Sequence, residues 1–254
     1  MDPGDPSSGE PSTEERVPGA AVSGAASAAD WTGPVADQVE PHAVVSMIER
    51  FRGRVWSVRS DTVDLGPDHE HPVVRDLVVH PGAVGVLALD DDDRVLLVRQ
   101  YRHPVGMYLF EAPAGLLDVA GEDPWITAQR ELAEEAGLVA ARWHVLVDFL
   151  NSPGGSTETF RCFLARGLSP LPGGRPHTGE AEELHLPQAW VPLDEAKDLV
   201  LAGRLQNPTT GMGVLAAWAA RAGGWRGLRP VDAPWPVRAA VLAAGRVFLP
   251  DGAV

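Results

Sequence analysis

An α+β fold is what the sequence predicts, and three features carry that reading. Apolar stretches of strand length recur from residue 43 onward. Stretches with helical spacing are interspersed among the later ones. No glycine-rich loop follows a strand in the manner of a P-loop or dinucleotide-binding fold. The 254 residues, 44% of them hydrophobic, can build a proper core in one large domain or two small ones. No apolar run reaches the length of a membrane span, and the N-terminus lacks a basic-then-apolar signal pattern, so no membrane partner is expected. Cys162 is the single cysteine; it excludes an intramolecular disulfide and fits a reducing, cytoplasmic setting.

Taken in order, residues 1–42 are rich in Pro, Gly, Ser and Ala, and carry eight acids against one arginine, half of the chain's net charge of −14. A segment so polar and so charged is expected to be disordered. Nothing downstream resembles a basic groove, so nucleic acid is not an expected partner. From residue 43 the pattern turns regular. VVSMIERFRGRVWSVRSDTVDL and HPVVRDLVVH form a β-rich region over 43–80. AVGVLALD and RVLLVRQY are two apolar strands, and the four aspartates Asp90–Asp93 between them read as a hairpin turn, not as a metal site. YLFEAPAG is one further strand, running into an acidic helix. RWHVLVDFL and ETFRCFLARGL follow as strands around the loop NSPGGST; in the second, Cys162 is expected to be a buried core thiol. The acid-rich HTGEAEELHL leads into the strand LHLPQAWVPL. PLDEAKDLVLAGR and TTGMGVLAAWAARAG read as helices. The expected organisation is a tail (1–42), a catalytic-size domain (43–222) and a C-terminal extension (223–254) with a short helix near 237–244 that packs against the domain.

The acidic helix, GLLDVAGEDPWITAQRELAEEAGL over 115–138, holds the chemistry. Asp123 followed by Pro124 predicts its start and Gly137 its stop. Trp125, Ala128, Leu132 and Ala136 form an apolar stripe. At about 100° per residue, Glu131, Glu134 and Glu135 share a sector about 100° wide, away from that stripe. Two carboxylates about 5 Å apart repel by roughly 3 kcal/mol at an effective dielectric of about 20. No lysine lies at i±3 or i±4 to relieve them, and they stand at the end of the helix that the macrodipole disfavours for anions. A merely solvated face is the ordinary reading of such acids. An arrangement unfavourable on several counts points instead to a site, and clustered carboxylates suit hard cations such as Mg²⁺ or Mn²⁺.

The same residues resemble the Nudix box. Glu122, then seven residues, then Arg130, Glu131, Leu132, Ala133, Glu134, Glu135, Ala136, Gly137 and Leu138 match its second half at every specified position. One departure is visible: six residues instead of five separate Gly115 from Glu122. The resemblance implies a Nudix α/β/α sandwich with a mixed sheet. It also implies metal-dependent hydrolysis of a nucleoside diphosphate linked to another group. Glu131 and Glu135 would be the principal metal ligands, Glu134 would share a metal, and the backbone carbonyl of Ala114 would add a ligand. Gly115, Glu122, Arg130 and Gly137 would be structural, Arg130 in a salt bridge with Glu122. Over about residues 44–220, RQYRHPVG, FEAPAG and SPGGSTE are similar to the ADP-ribose pyrophosphatase branch, and Pro153 lies sixteen residues beyond Gly137, close to that branch's distinguishing proline. That similarity implies ADP-ribose as substrate, with Arg99 or Arg102 on its diphosphate or adenine and Glu111 on the terminal ribose or adenine. It implies a general base on a downstream loop, Glu183 or Glu182, with Glu180 also available. It further implies a homodimer that exchanges the strands of 43–80. GDP-mannose, UDP-glucose, NADH or a non-catalytic sensing role are the alternatives.

Overall fold

The computed structural model describes residues 30–176 and 186–250. Most of the tail expected to be disordered, and Glu180, Glu182 and Glu183, therefore lie outside the described residues. Val39 onward forms one compact unit, which includes the stretch after residue 222.

Among its described residues, ten strands and four α-helices build this unit. The N-terminal strands β1 (Ala43–Arg52), β2 (Ser57–Asp64) and β3 (Val73–Val79) form an antiparallel sheet of their own in that order. β4 (Ala83–Ala88) is the centre of a four-stranded sheet ordered β7-β4-β9-β8, with β7 at Ala114–Leu116, β8 at Leu138–Leu150 and β9 at Thr159–Pro170. β4 runs parallel to β9 and antiparallel to β7, which makes the sheet mixed. A third sheet is ordered β10-β5-β6, from β10 (Gln188–Pro192), β5 (Arg94–Arg102) and β6 (Met107–Glu111). The helices are α1 (Pro124–Ala136), α2 (Leu193–Leu201), α3 (Pro208–Ala222) and α4 (Pro236–Ala243).

The period of two along β4 sorts the core into two layers. Val84, Val86 and Ala88 join Phe163 beneath Ala128 and Leu132 of α1. Leu87 and Leu89 join Cys162 and Leu164 beneath Leu193 and Ala196 of α2 and Val214 and Ala217 of α3. A sheet with α1 on one face and α2 and α3 on the other is the layered arrangement of the Nudix fold. Cys162 is wholly buried there, and burial pushes its thiol up to about 12, so it is protonated at neutral pH.

Two expectations are corrected. The Asp90–Asp93 turn exists, but the strands it joins do not pair as a hairpin. After one bridge, Leu89 to Val95, β4 and β5 diverge into different sheets. Both are buried on two faces, so neither carries the alternation that would distinguish a shared sheet from separate ones. YLFEAPAG is likewise two strands. Pro113 has no N–H to give a ladder, and there the chain crosses from β6 to β7. Its backbone is held by bonds from Val86 N to Pro113 O (2.7 Å) and from Ala112 N to Thr210 Oγ1 (2.9 Å).

Candidate active site

α1 forms where the sequence predicts it. The Asp123 side chain accepts from Trp125 N at 2.8 Å, Pro124 occupies the first turn, and Gly137 ends the helix at φ 68°, the left-handed conformation that glycine tolerates. Trp125, Ala128, Leu132 and Ala136 face the core.

The acids opposite are not in water. Glu131 is 7% exposed and Glu135 4%, because this side of α1 lies against β7. Ala114 N donates to Glu135 Oε2 at 3.1 Å. The Glu131 side chain occupies the space that a residue larger than glycine would need at 115. A Cβ there would stand 2.0 Å from Glu131 Oε1, so Gly115 is the cradle for this carboxylate.

The absence of a relieving lysine is made good by an arginine within the motif. Arg130 Nη1 reaches Glu131 Oε1 at 2.7 Å and, one turn on, Glu134 Oε2 at 3.0 Å. Arg130 Nη2 reaches Glu122 Oε2 at 3.3 Å. Burial opposes the guanidinium's charge, but these carboxylates outweigh it and raise its pKa further. Burial also pushes Glu122 up, yet the Thr127 hydroxyl (2.7 Å) and Arg130 together hold its carboxyl below the ordinary glutamate range. The stretch of 116–121, one residue longer than the motif specifies, still delivers Glu122 to Arg130.

Glu111 ends β6 three residues before Ala114, so the two lie within about 11 Å of one another along the chain. Glu111 is 2% exposed, and Arg102 clasps it with both guanidinium ends, Nε to Oε1 at 2.9 Å and Nη2 to Oε2 at 2.6 Å. Across the sheet Gln188, Val98 and Glu111 occupy one register row and therefore one face. Arg102, four residues after Val98, shares that face. Arg99 projects from the other face, where its guanidinium lies 4.0 Å from the centroid of Tyr108. Of the two arginines left open by the sequence, Arg102 is thus the one beside Glu111. Pro153 lines a cavity of about 480 Å³ with Asp61, Arg75, Ser156 and Thr159.

Sequence reasoning missed Arg175 and Gln188. The Arg175 guanidinium donates from Nε to the carbonyl of Glu134, and Gln188 Nε2 donates to the carbonyls of Glu135 (3.2 Å) and Ala136 (3.3 Å). Their signal in the sequence is only proximity to an acid-rich segment, which says nothing about where their side chains go.

The donor set of Glu131, Glu134, Glu135 and the Ala114 backbone is all oxygen, as hard divalent cations prefer, and the glycine cradle fixes one of the carboxylates. Among the described residues no three acid, histidine or cysteine side chains already converge as an ion cage, and Arg130 engages Glu131 and Glu134. Among the described residues no helix is long and apolar enough to cross a membrane.

Comparison with known proteins matches the NUDIX domain to residues 79–209. The chain is 43% identical over 194 residues to an ADP-ribose pyrophosphatase of Mycobacterium tuberculosis, covering 76% of this chain and 91% of that protein. It is 35% identical over 160 residues to a methanol dehydrogenase activator of Bacillus methanolicus, covering 63% of this chain and 83% of that one. A crystal structure of an ADP compounds hydrolase superposes with a TM-score of 0.60 at 22% identity, over 75% of this chain and all of that one, which shows a common fold. Nudix hydrolases generally use a divalent metal ion. The chain belongs to the Nudix family and is a Nudix pyrophosphohydrolase.

Proposed function

We propose that the chain hydrolyses the pyrophosphate of ADP-ribose: water attacks one phosphorus, the bridging P–O bond breaks, and AMP and ribose 5-phosphate leave. The observation that carries the reading is the placement of Glu131 against Gly115 and of Glu135 against Ala114, in a chain 43% identical to an ADP-ribose pyrophosphatase over nearly all of that enzyme.

In this reading Glu131 and Glu135 are the principal ligands of Mg²⁺ or Mn²⁺, with Glu134 and the Ala114 carbonyl completing the protein's share. Bound there, a divalent ion neutralises diphosphate charge and lowers the pKa of water. The residues around it do the rest. Gly115 keeps the Glu131 carboxylate close to the strand, and Arg130 fixes Glu131 and Glu134 in relation to Glu122. Arg102, held by Glu111, has a side chain that is 43% exposed, and its guanidinium can donate to phosphate oxygens or stack on adenine. Glu183 or Glu182 takes the proton from the attacking water. The exposed apolar side chains of β1, among them Val45, Met47, Ile48 and Phe51, favour a homodimer made through the N-terminal strands.

The test is release of AMP from ADP-ribose, with GDP-mannose, UDP-glucose and NADH in the same panel under Mg²⁺ and then Mn²⁺. ADP-ribose is expected to give the highest kcat/KM, and Glu135→Gln is expected to lose most of it. Full activity in that variant, or preference for another compound by tenfold, would falsify the corresponding part.

A further inference from the structure

We propose that Arg175 and Gln188 are positioning residues for the acids of α1, acting through the backbone of its last turn. This rests on the reading above that Glu131, Glu134 and Glu135 hold a divalent ion.

The last four carbonyls of any α-helix lack intrahelical partners. In α1 each of the four has one. Gly137 N–H takes the carbonyl of Ala133, Arg175 Nε–H takes that of Glu134, and the Gln188 amide takes those of Glu135 and Ala136. Two side chains thirteen residues apart in sequence therefore grip consecutive residues of one turn, and the gripped residues include two of the three proposed ligands. Arg175 also packs over the left-handed Gly137, where an added Cβ would meet its own Cβ at 3.3 Å, and Leu171 N bonds the Gly137 carbonyl at 2.8 Å. The guanidinium places positive charge at the helix end where three carboxylates and the macrodipole both call for it.

Gln188 connects this turn to the rest of the site. Through its register partner Val98 it stands in one row with Glu111, about 10 Å away at two strand spacings. The β10-β5-β6 sheet, which carries Arg102 and Glu111, is thereby bonded directly to the helix that carries the acids. The spacing between the acid cluster and the Arg102–Glu111 pair is held by this joint. Both side chains lie near the surface, Gln188 exposed and Arg175 half-buried, so neither is needed to fill the core.

The experiment compares Gln188→Ala, Arg175→Ala and Arg175→Lys with the wild-type full chain, measuring Mn²⁺ affinity by electron paramagnetic resonance of the free ion, steady-state kinetics on ADP-ribose, and the unfolding temperature of the metal-free protein. Loss of a hydrogen-bonding group that orients metal ligands typically costs 10–100-fold in affinity or activity. We expect Mn²⁺ affinity and kcat to fall about tenfold in both alanine variants, with KM within about twofold and the unfolding temperature nearly unchanged. Arg175→Lys is expected to recover part of the loss, since it restores the charge without the fixed fork of donors. Wild-type Mn²⁺ affinity and kcat in both alanine variants would overturn the joint while leaving the metal site intact. A lowered unfolding temperature with unchanged Mn²⁺ affinity would overturn it too, by reducing both residues to structural caps. A wild-type chain that binds no Mn²⁺ would overturn the metal-site reading itself, and this proposal with it.

Discussion

Among the glycines of the described residues, Gly115 is the one most tightly enclosed, and Glu131 encloses it. A methyl group at 115 would stand 2.0 Å from Glu131 Oε1, 2.1 Å from its Cδ and 2.5 Å from its Cγ, so the two cannot coexist as they stand. The obstructing atoms belong to a flexible side chain, and it is the carboxylate that must give way. Gly115→Ala is therefore expected to cost less than about 1 kcal/mol of stability while lowering kcat about 10–100-fold, as loss of ligand orientation does. Thermal unfolding and steady-state kinetics on one preparation separate the two effects. Thr127 and Glu122 make a pH-dependent counterpart. Thr127 is wholly buried and donates to Glu122 at 2.7 Å, which helps hold that carboxyl below its usual value. A depressed folded pKa gives stability that is present above the unfolded value, about 4.3, and is lost as pH falls through the folded one. Thr127→Val is expected to lose about 1–2 kcal/mol at pH 7, a hydrogen bond to a charged acceptor, and the gap from wild type should narrow as the pH is lowered towards 3. An equal gap at both pH values would remove Glu122 from the account.

At the scale of elements, legibility follows how locally each decision is made. α1 was readable to within a residue because its start, stop and buried stripe are set by neighbours in the chain: Asp123 and Pro124 at one end, Gly137 at the other, Ala128 and Leu132 between. The box acids were readable for the same reason. The burial of Glu131 and Glu135 was not, since it depends on how the loop after β7 folds α1 back against that strand, and neither was the partnership of Arg102 with Glu111 across β5 and β6. Sheet membership was the least legible of all. β4 and β5 look like a hairpin, yet Leu87 packs under α2 and α3 while Val84 and Val86 pack under α1, and it is this two-layer burial that keeps β4 with β9. A contrast within α1 tests the division of labour between its ends. Asp123→Ala removes the cap on Trp125 N, far from the acids of the last two turns, and is expected to cost about 1 kcal/mol with kcat unchanged. A drop in kcat matching that of Gln188→Ala would mean that the helix responds as one rigid unit.

At the scale of the whole folded unit from Val39 onward, the segment after residue 223 ties the layers together. Arg229 bonds Asp148 at 2.7 Å, and its backbone bridges Val145 on β8. The carbonyls of Ala233 and Pro234 accept from Arg161, a β9 guanidinium only 3% exposed that also clasps Asp148 at 2.8 and 3.0 Å. Further on, Arg238 donates to the carbonyl of Pro81 between β3 and β4. Arg59 of β2 and Arg52 of β1 then donate to the carbonyls of Gly245 (3.3 Å) and Leu249 (3.1 Å). The N-terminal sheet, which Val78 also bridges to Ser156 between β8 and β9, is thus fastened to the central sheet through the C-terminal end of the chain as well. Ending the protein after Gly223 would strip Arg161 of two backbone acceptors and leave its charge buried with Asp148 alone. An unsatisfied buried polar group costs about 1–3 kcal/mol, and in a chain of this size each kcal/mol moves the midpoint by about 2–4 °C. The truncated protein is therefore expected to unfold roughly 10 °C lower. The N-terminal strands should also become the first part open to protease, because the bonds from Arg52 and Arg59 are lost with the segment. α1 makes none of the bonds just named, so activity at 20 °C should survive the truncation. Calorimetry together with limited proteolysis reads both changes. An unchanged midpoint with β1 to β3 still protected would show that the N-terminal sheet holds its place without the strap.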